Sequence, residues 1–357
     1  RRLSQFICVR PPHHLKTGLW YQGTADAIFQ NLDTLEDERP SHVLILSGDH
    51  IYKMDYGRML EQHLERKAAV TIGVVRVPQT DARRFGILEI DAEERVQSFD
   101  EKPKVGKEIP GQPGFCLGSM GIYIFETDEL VRRLKADAEL GNASSHDFGK
   151  DIIPKMIHEA AVFTHRFTDR QYPELEPYWR DVGTLEAYFD ANMDLCSVQP
   201  QFNLYDLDWP IYTLWHNDPP AKTIFDEYDG KKSEVVDSLM CPGVVVSGAK
   251  VRRSILANRV RVEEKGLVED SIVFAGAVIG RDAKVRRAII DKWIQVPPGA
   301  RIGYDLEEDK KRFTVSDPRG ILARTAMPVA VRGGKLRVIP YSGKPLASSG
   351  STKDKAA

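Results

Sequence analysis

Cysteine is scarce and scattered in this sequence: Cys8, Cys116, Cys196 and Cys241 are the only 4 among 357 residues, and no two form a CxxC pair. That spacing excludes a zinc ribbon and argues against a disulfide framework, so a reducing, cytoplasmic setting is expected. An excess of one charge is lacking as well. The 50 Lys and Arg residues face 52 Asp and Glu, a formal net charge of −2. Nucleic acids and anionic membranes want a clear basic excess, so neither partner is expected. No apolar run reaches the length of a membrane span, and no secretory leader opens the chain. An initiator Met is missing too; the chain starts at Arg1 and reads as a fragment of something longer. What is present is core material, 42% hydrophobic residues, in a length that suggests two domains.

Those two parts have different rhythms. From about residue 20 to 200, strand-like runs alternate with helical patterns. "HVLILS" (42–47) is continuous, as a parallel strand buried on both faces would be. The helical segment after it places Met59, Leu60, His63 and Leu64 on one face. Strands alternating with crossover helices predict an α/β domain with a mainly parallel sheet over residues 1–200. Residues 201–242 are irregular and read as a connector. Then Val245, Val251, Leu256, Val262, Val268, Val273, Ile279, Val285, Ile290, Val296 and Ile302 follow one another at intervals of 5 or 6 residues. Aliphatic residues in that register predict a hexapeptide-repeat β-helix over 243–325, with three short strands per coil. A Ser, Gly and Lys-rich tail, 326–357, should be disordered at its end.

The segments able to carry chemistry are few. Asp49 stands at the end of the "VLILS" strand, where open α/β sheets bind ligands. It could cap the next helix, but Asp55 is better placed for that, which leaves Asp49 spare. Asp181 in "YWRDVGT" is spare for the same reason, since Thr184 is the better cap. Two carboxylates converging on phosphates is a common way to hold Mg²⁺; spacing cannot show convergence. Gly23 and Thr24 open a helix, Thr24 as its cap, and free N–H groups there could receive an anion. In "FDEKP", Glu101 and Lys102 are an ordinary solvated pair unless the strand end meets a phosphate. His146 and Asp147 in "SSHDFGKDIIP" read mostly as helix capping.

Taken in order, "WYQGTADA", "LSGDHIYKMDY", "FGILEID", "FDEKP", "GSMGIYIF", "SSHDFGKDIIP" and "EPYWRDVGT", ahead of hexapeptide repeats, resemble the bacterial ADP-glucose pyrophosphorylase family. The resemblance runs from about residue 20 to 325. It implies a Rossmann-like nucleotidyltransferase domain, incomplete at its N-terminus, followed by a left-handed β-helix. It also implies allosterically regulated synthesis of ADP-glucose from ATP and glucose 1-phosphate, the first committed step of glycogen synthesis. By position, Tyr21, Gly23 and Thr24 match the nucleotide segment, and Asp49, the catalytic aspartate, matches a Mg²⁺ ligand together with Asp181. Gly86, Glu101, Lys102, Ser119 and Tyr123 match the sugar-phosphate pocket, with Lys102 on the phosphate and Trp179 near the sugar. Arg286 resembles an effector-site arginine, and a homotetramer with sugar-phosphate or nucleotide effectors is implied.

Departures from the pattern set further expectations. The family's Gly-rich GGxGxRL loop is absent from these residues, so weak or no synthesis is expected from the chain as it stands. "LEDERP" is acidic where relatives carry a basic effector contact, which leaves activator and inhibitor open. Three rival readings remain: a nucleotidyltransferase of other base or sugar specificity, a non-catalytic subunit, and a hexapeptide acyltransferase. The last would want a catalytic His in the coils, and none lies between Val245 and Ile302.

Overall fold

The computed structural model describes residues 7–10, 20–169, 175–213, 216–225, 232–316, 321–324, 329–332 and 335–338, with backbone alone from 322 onward. The end of the tail expected to be disordered lies outside the described residues. The chain divides into two compact units, Arg1–Gly48 with Lys53–Trp179, and Asp49–Tyr52 with Arg180–Ala357. Among the described residues, the strands ahead of the repeats are β1 (His42–Ile45), β2 (His50–Tyr52), β3 (Val70–Pro78), β4 (Gly86–Ile90), β5 (Val96–Glu101), β6 (Glu108–Ile109), β7 (Gln112–Glu126), β8 (Val162–Arg166) and β9 (Trp179–Asp181).

In the first unit one sheet runs β5-β4-β7-β3-β8, and β1 and β6 also pair with β7. It is mixed, which corrects the expected mainly parallel arrangement. The long β7 lies antiparallel to β1, β3, β4 and β6, and β3 with β8 is the parallel pair. The reason is connectivity. Between residues 86 and 126 the chain holds strands and turns without a crossover helix, and parallel neighbours need one. β1 and β3, separated by the helix Tyr56–Glu65, keep a common direction but flank the C-terminal half of β7. β1 is also less buried than its apolar run suggests: Leu44 and Leu46 are exposed.

The core of this unit gathers Val70, Ile72 and Val74 of β3, Phe125 of β7, and Leu130, Leu134 and Met156 from the covering helices. Asp55 caps the helix Tyr56–Glu65, accepting the Gly57 N–H at 3.0 Å, as its position in the sequence predicts. The buried face of that helix is narrower than its pattern: Met59 and His63 are buried, while Leu60 and Leu64 are exposed.

His63 gives the unit an acid sensitivity. Its Nδ1 lies 2.8 Å from Thr71 Oγ1, and its ring packs edge-on to His42 at 5.1 Å. Burial disfavours the imidazolium, and His42 adds to this, so the pKa falls from 6.5 to about 4. The stability this confers is present above pH 6.5 and is lost as pH falls toward 4. At about 1.4 kcal/mol per pH unit, up to about 3 kcal/mol is expected to go. Urea midpoints at pH 7 and pH 4 should show that loss in the wild type and a smaller one in His63→Gln; equal losses would refute it.

The second unit carries a parallel β-solenoid. Successive strands stack into three sheets, for instance Glu234–Val236, Lys250–Arg252, Leu267–Glu269, Lys284–Arg286 and Arg301–Ile302 in one of them. Its first coil starts at Lys222–Ile224, inside the segment expected to be a connector. The aliphatic series from Val251 to Ile302 points inward without exception. Its first member is off by one: Val246 is buried and stacks on Val262, whereas Val245 pairs with Arg261. Residues with left-handed φ at the corners, such as Arg253, Asp270 and Arg287, turn the chain between faces. Each interior side chain fills a layer, so Ile279→Ala should cost about 2–5 kcal/mol in denaturant unfolding; a cost under 1 kcal/mol would mean the column is not close-packed.

Candidate active site

The sheet of the first unit builds one cluster from four separate segments. Gly86 opens β4 and faces Glu101 at the end of β5 across an antiparallel register. A Cβ at Gly86 would collide with the Phe99 ring and lie 3.0 Å from Glu101 Oε2. From the other side, a Cβ at Gly149 would lie 2.7 Å from the same oxygen. Two glycines therefore make the slot that holds the Glu101 carboxylate. Burial raises the Glu101 pKa, Lys102 opposes that, and Asp147 adds to it. The Lys102 ammonium lies 3.6 Å from Glu101 Oε1 and is largely exposed. Lys102 itself bends into the left-handed region at φ 51°, its N–H donating to Phe85 O at 3.0 Å. That bend follows the end of the strand at Glu101.

Ser119 and Tyr123 reach this cluster through an irregularity in β7. Opposite Gly73 and Val74 the register shifts, leaving Met120 and Gly121 without partners in the ladder to β3. Bulges of this kind re-aim side chains next to binding sites. Ser119 Oγ accepts the Gly121 N–H at 3.2 Å and hydrogen-bonds the Tyr123 phenol, whose pKa burial pushes up to about 12. Tyr123 packs on Phe148 at 5.7 Å. Trp179 is buried and packs on Phe85 at 5.3 Å.

Gly23 and Thr24 play a different part from the one their sequence suggests. The cap of the helix Thr24–Phe29 is Gly23, not Thr24. Thr24 instead donates to Asp147 Oδ2 at 3.2 Å and accepts the Phe148 N–H at 3.1 Å. Gly23 is tight against the Ser145 and His146 carbonyls, where any Cβ would collide. The Ala25 N–H, expected to be free for a ligand, donates to His146 O at 2.8 Å. Tyr21 donates to Arg10 O and accepts from Asn31 Nδ2, each at 3.0 Å.

The second unit holds Asp49 and Asp181 near one another, with Asp181 Oδ1 accepting the Gly183 N–H at 2.8 Å. β2 and β9 pair as a two-stranded sheet, and the Val182 N–H donates to Asp49 O at 3.0 Å. A single point, the position of a Cβ at Gly183, lies 3.1 Å from Asp181 Oδ1 and 3.5 Å from Asp49 Oδ2. Thr184 caps the following helix through the Ala187 N–H, as expected, which leaves Asp181 to the turn. His50 Nε2 sits 3.6 Å from the other Asp49 oxygen. Among the described residues no group of three or more His, Cys, Asp or Glu is placed to hold a metal. Two hard oxygen donors, with the rest left to phosphates and water, is a donor set that fits Mg²⁺ and suits zinc or iron poorly.

Arg286 lies on the solenoid. Its guanidinium stacks over Tyr304 at 4.7 Å and donates to Gly303 O. Tyr304, with Arg301, Asp305, Glu308 and Arg312, lines an open cleft of about 600 Å³. Sequence reasoning passed over Gly149 and Phe99 and treated Asp147 mainly as a cap, which it is. The signal for Gly149 is faint: a glycine early in a helical segment, where propensity alone would disfavour it.

Comparison with known proteins agrees with this division. Residues 5–198 match the profile of the family described as "Nucleotidyl transferase", and residues 219–323 match "GlmU-like, C-terminal hexapeptide". A glucose-1-phosphate adenylyltransferase of Dechloromonas aromatica is 48% identical over 91% of this chain and 74% of its own length. Relatives of the same name in Nitrosospira multiformis and Rhodopirellula baltica are each 45% identical, over 88% and 93% of this chain and 74% and 76% of their own lengths. No helix among the described residues is long and apolar enough to cross a membrane.

Proposed function

The chain belongs to the glucose-1-phosphate adenylyltransferases, and on that premise we propose that it joins ATP and glucose 1-phosphate into ADP-glucose, releasing pyrophosphate. The observation that supports this best is the meeting of Asp49 and Asp181 at Gly183. The Gly183 N–H holds Asp181 Oδ1 at 2.8 Å beside the Asp49 side chain, and a nucleotidyl transfer brings a divalent cation to which two neighbouring carboxylates can offer oxygens.

The attacking group is the phosphate of glucose 1-phosphate. Its oxygen is already anionic, so no Ser, Cys or His nucleophile and no general base is needed. Lys102 binds that phosphate and orients it for in-line attack on the α-phosphorus. Glu101, held in its glycine slot, accepts a sugar hydroxyl, and Tyr123 with Ser119 and Trp179 shapes the sugar side. Gly23, Thr24 and Tyr21 lie on the adenosine side. Asp49 and Asp181 hold Mg²⁺, which when bound would neutralise phosphate charge. Arg286 contributes to recognition of a sugar-phosphate or nucleotide effector, the working assembly is a homotetramer, and the setting is the cytoplasm.

The test is release of pyrophosphate across a panel of nucleoside triphosphates and sugar phosphates, with binding of each measured in parallel by calorimetry. In a chain that carries the family's Gly-rich loop, ATP with glucose 1-phosphate should stand out in both. Preference for another pair would give the rival specificity; binding of neither substrate would favour a non-catalytic subunit.

A further inference from the structure

A buried polar ring in the first unit has no part in the reaction as proposed. Asp137, in the last turn of the helix Thr127–Ala138, is 4% exposed, and His146 is 7% exposed. Asp137 Oδ2 meets His146 Nδ1 at 2.6 Å, and Oδ1 accepts the Ser144 hydroxyl at 2.7 Å. Ser144 Oγ accepts the His146 backbone N–H at 2.9 Å, which closes the ring. The 2.6 Å approach of Asp137 Oδ2 makes Nδ1 the ring nitrogen joined to the carboxylate.

A satisfied buried carboxylate would account for Asp137 alone. It does not account for the left-handed turn at His146, φ 53°, a conformation uncommon outside glycine even though histidine enters it more readily than most residues. What that bend delivers lies just beyond it. The His146 carbonyl takes the Ala25 N–H. Asp147 Oδ1 accepts the N–H groups of Gly149 and Lys150 at 2.9 and 3.2 Å, and its Oδ2 takes the Thr24 hydroxyl. Phe148–Ile152 is a single π-turn, a form concentrated at functional sites. Its Gly149 is one wall of the slot around Glu101.

We propose that the Asp137–Ser144–His146 ring is the positioning apparatus of the sugar-phosphate pocket. By holding His146 left-handed it fixes residues 147–149, against which both the Glu101 carboxylate and the Thr24 turn rest. None of the three touches substrate; they act through Gly149 and Asp147. The proposal rests on the reading of Gly86, Glu101 and Lys102 as that pocket.

Substitutions at 146 separate the donor from the backbone. Asparagine offers an N–H near the place of Nδ1 and tolerates left-handed φ. Glycine tolerates the φ and has no donor. Calorimetric titration of the full chain with glucose 1-phosphate should show binding weakened about tenfold in His146→Gly and within about threefold of wild type in His146→Asn, with Ser144→Ala between them. Amide exchange at Ala25, Phe148 and Gly149 should quicken in the same order. Wild-type affinity in His146→Gly, or equal losses in His146→Gly and His146→Asn, overturns the ring's role. If His146→Gly does not fold, Ser144→Ala replaces it, and unchanged affinity there overturns the proposal. A wild-type chain that does not bind glucose 1-phosphate overturns the pocket assignment instead, and amide exchange then decides the ring by itself.

Discussion

Replacing Asp49 with alanine, in a chain that also carries the family's Gly-rich loop, is expected to lower kcat for ADP-glucose synthesis by about 10³-fold or more, while the unfolding midpoint hardly moves. The first half follows from charge. One of the two carboxylates that meet at Gly183 disappears, and with it half of the protein's hold on the cation that offsets phosphate charge as the α-phosphorus is attacked. The second half follows from placement. The Asp49 side chain is 58% exposed, the next helix is capped by Asp55, and surface substitutions away from caps and cores usually stay within about 0.5 kcal/mol. Asp181→Ala should fall into the same class, and the double variant should lose little more than either single one, because the pair acts as a unit. Mn²⁺ binding followed by its paramagnetic effect on water gives a readout independent of turnover: both single variants should bind more weakly. Near-normal kcat in Asp49→Ala would sink the assignment.

In the same loop-bearing chain, Lys102→Gln is expected to raise the KM for glucose 1-phosphate about 100-fold and to leave the KM for ATP within a few-fold. The ammonium stands at a strand end that bends out of the ladder at φ 51°, and it is largely exposed to whatever enters beside Glu101. Glutamine keeps a donor, one atom short of the lysine reach, and removes the charge, so most of the loss reports the ion pair with phosphate. An effect split equally between the two substrates would place Lys102 on the nucleotide instead. The neighbouring carboxylate sharpens the expectation. Burial raises the pKa of Glu101, and Lys102, with a smaller contribution from Lys150, lowers it. Removing the lysine charge should therefore push Glu101 further up, and the decline of affinity on the acid side should move to higher pH in the variant.

Much of this was written locally. The inward register from Val251 to Ile302 was legible because each coil of a solenoid repeats the same local demand, one aliphatic side chain per short strand. Asp55 and Thr184 were legible as caps because a cap bonds the next turn of its own chain. Their assignment is what left Asp49 and Asp181 without a capping role. Thr24 was misread for the converse reason: its hydroxyl goes to Asp147, far away in sequence.

What the sequence determined, then, is where helices and coils begin and which carboxylates cap them, because those follow from bonds between near neighbours. Tertiary structure alone decided that β7 runs antiparallel between β1 and β3, that Asp49 and Asp181 meet at Gly183, and that Glu101 rests between Gly86 and Gly149. Each of these joins segments distant along the chain. Pairing and close approach at that range are set by which strands lie side by side, and no residue's own neighbourhood carries that information.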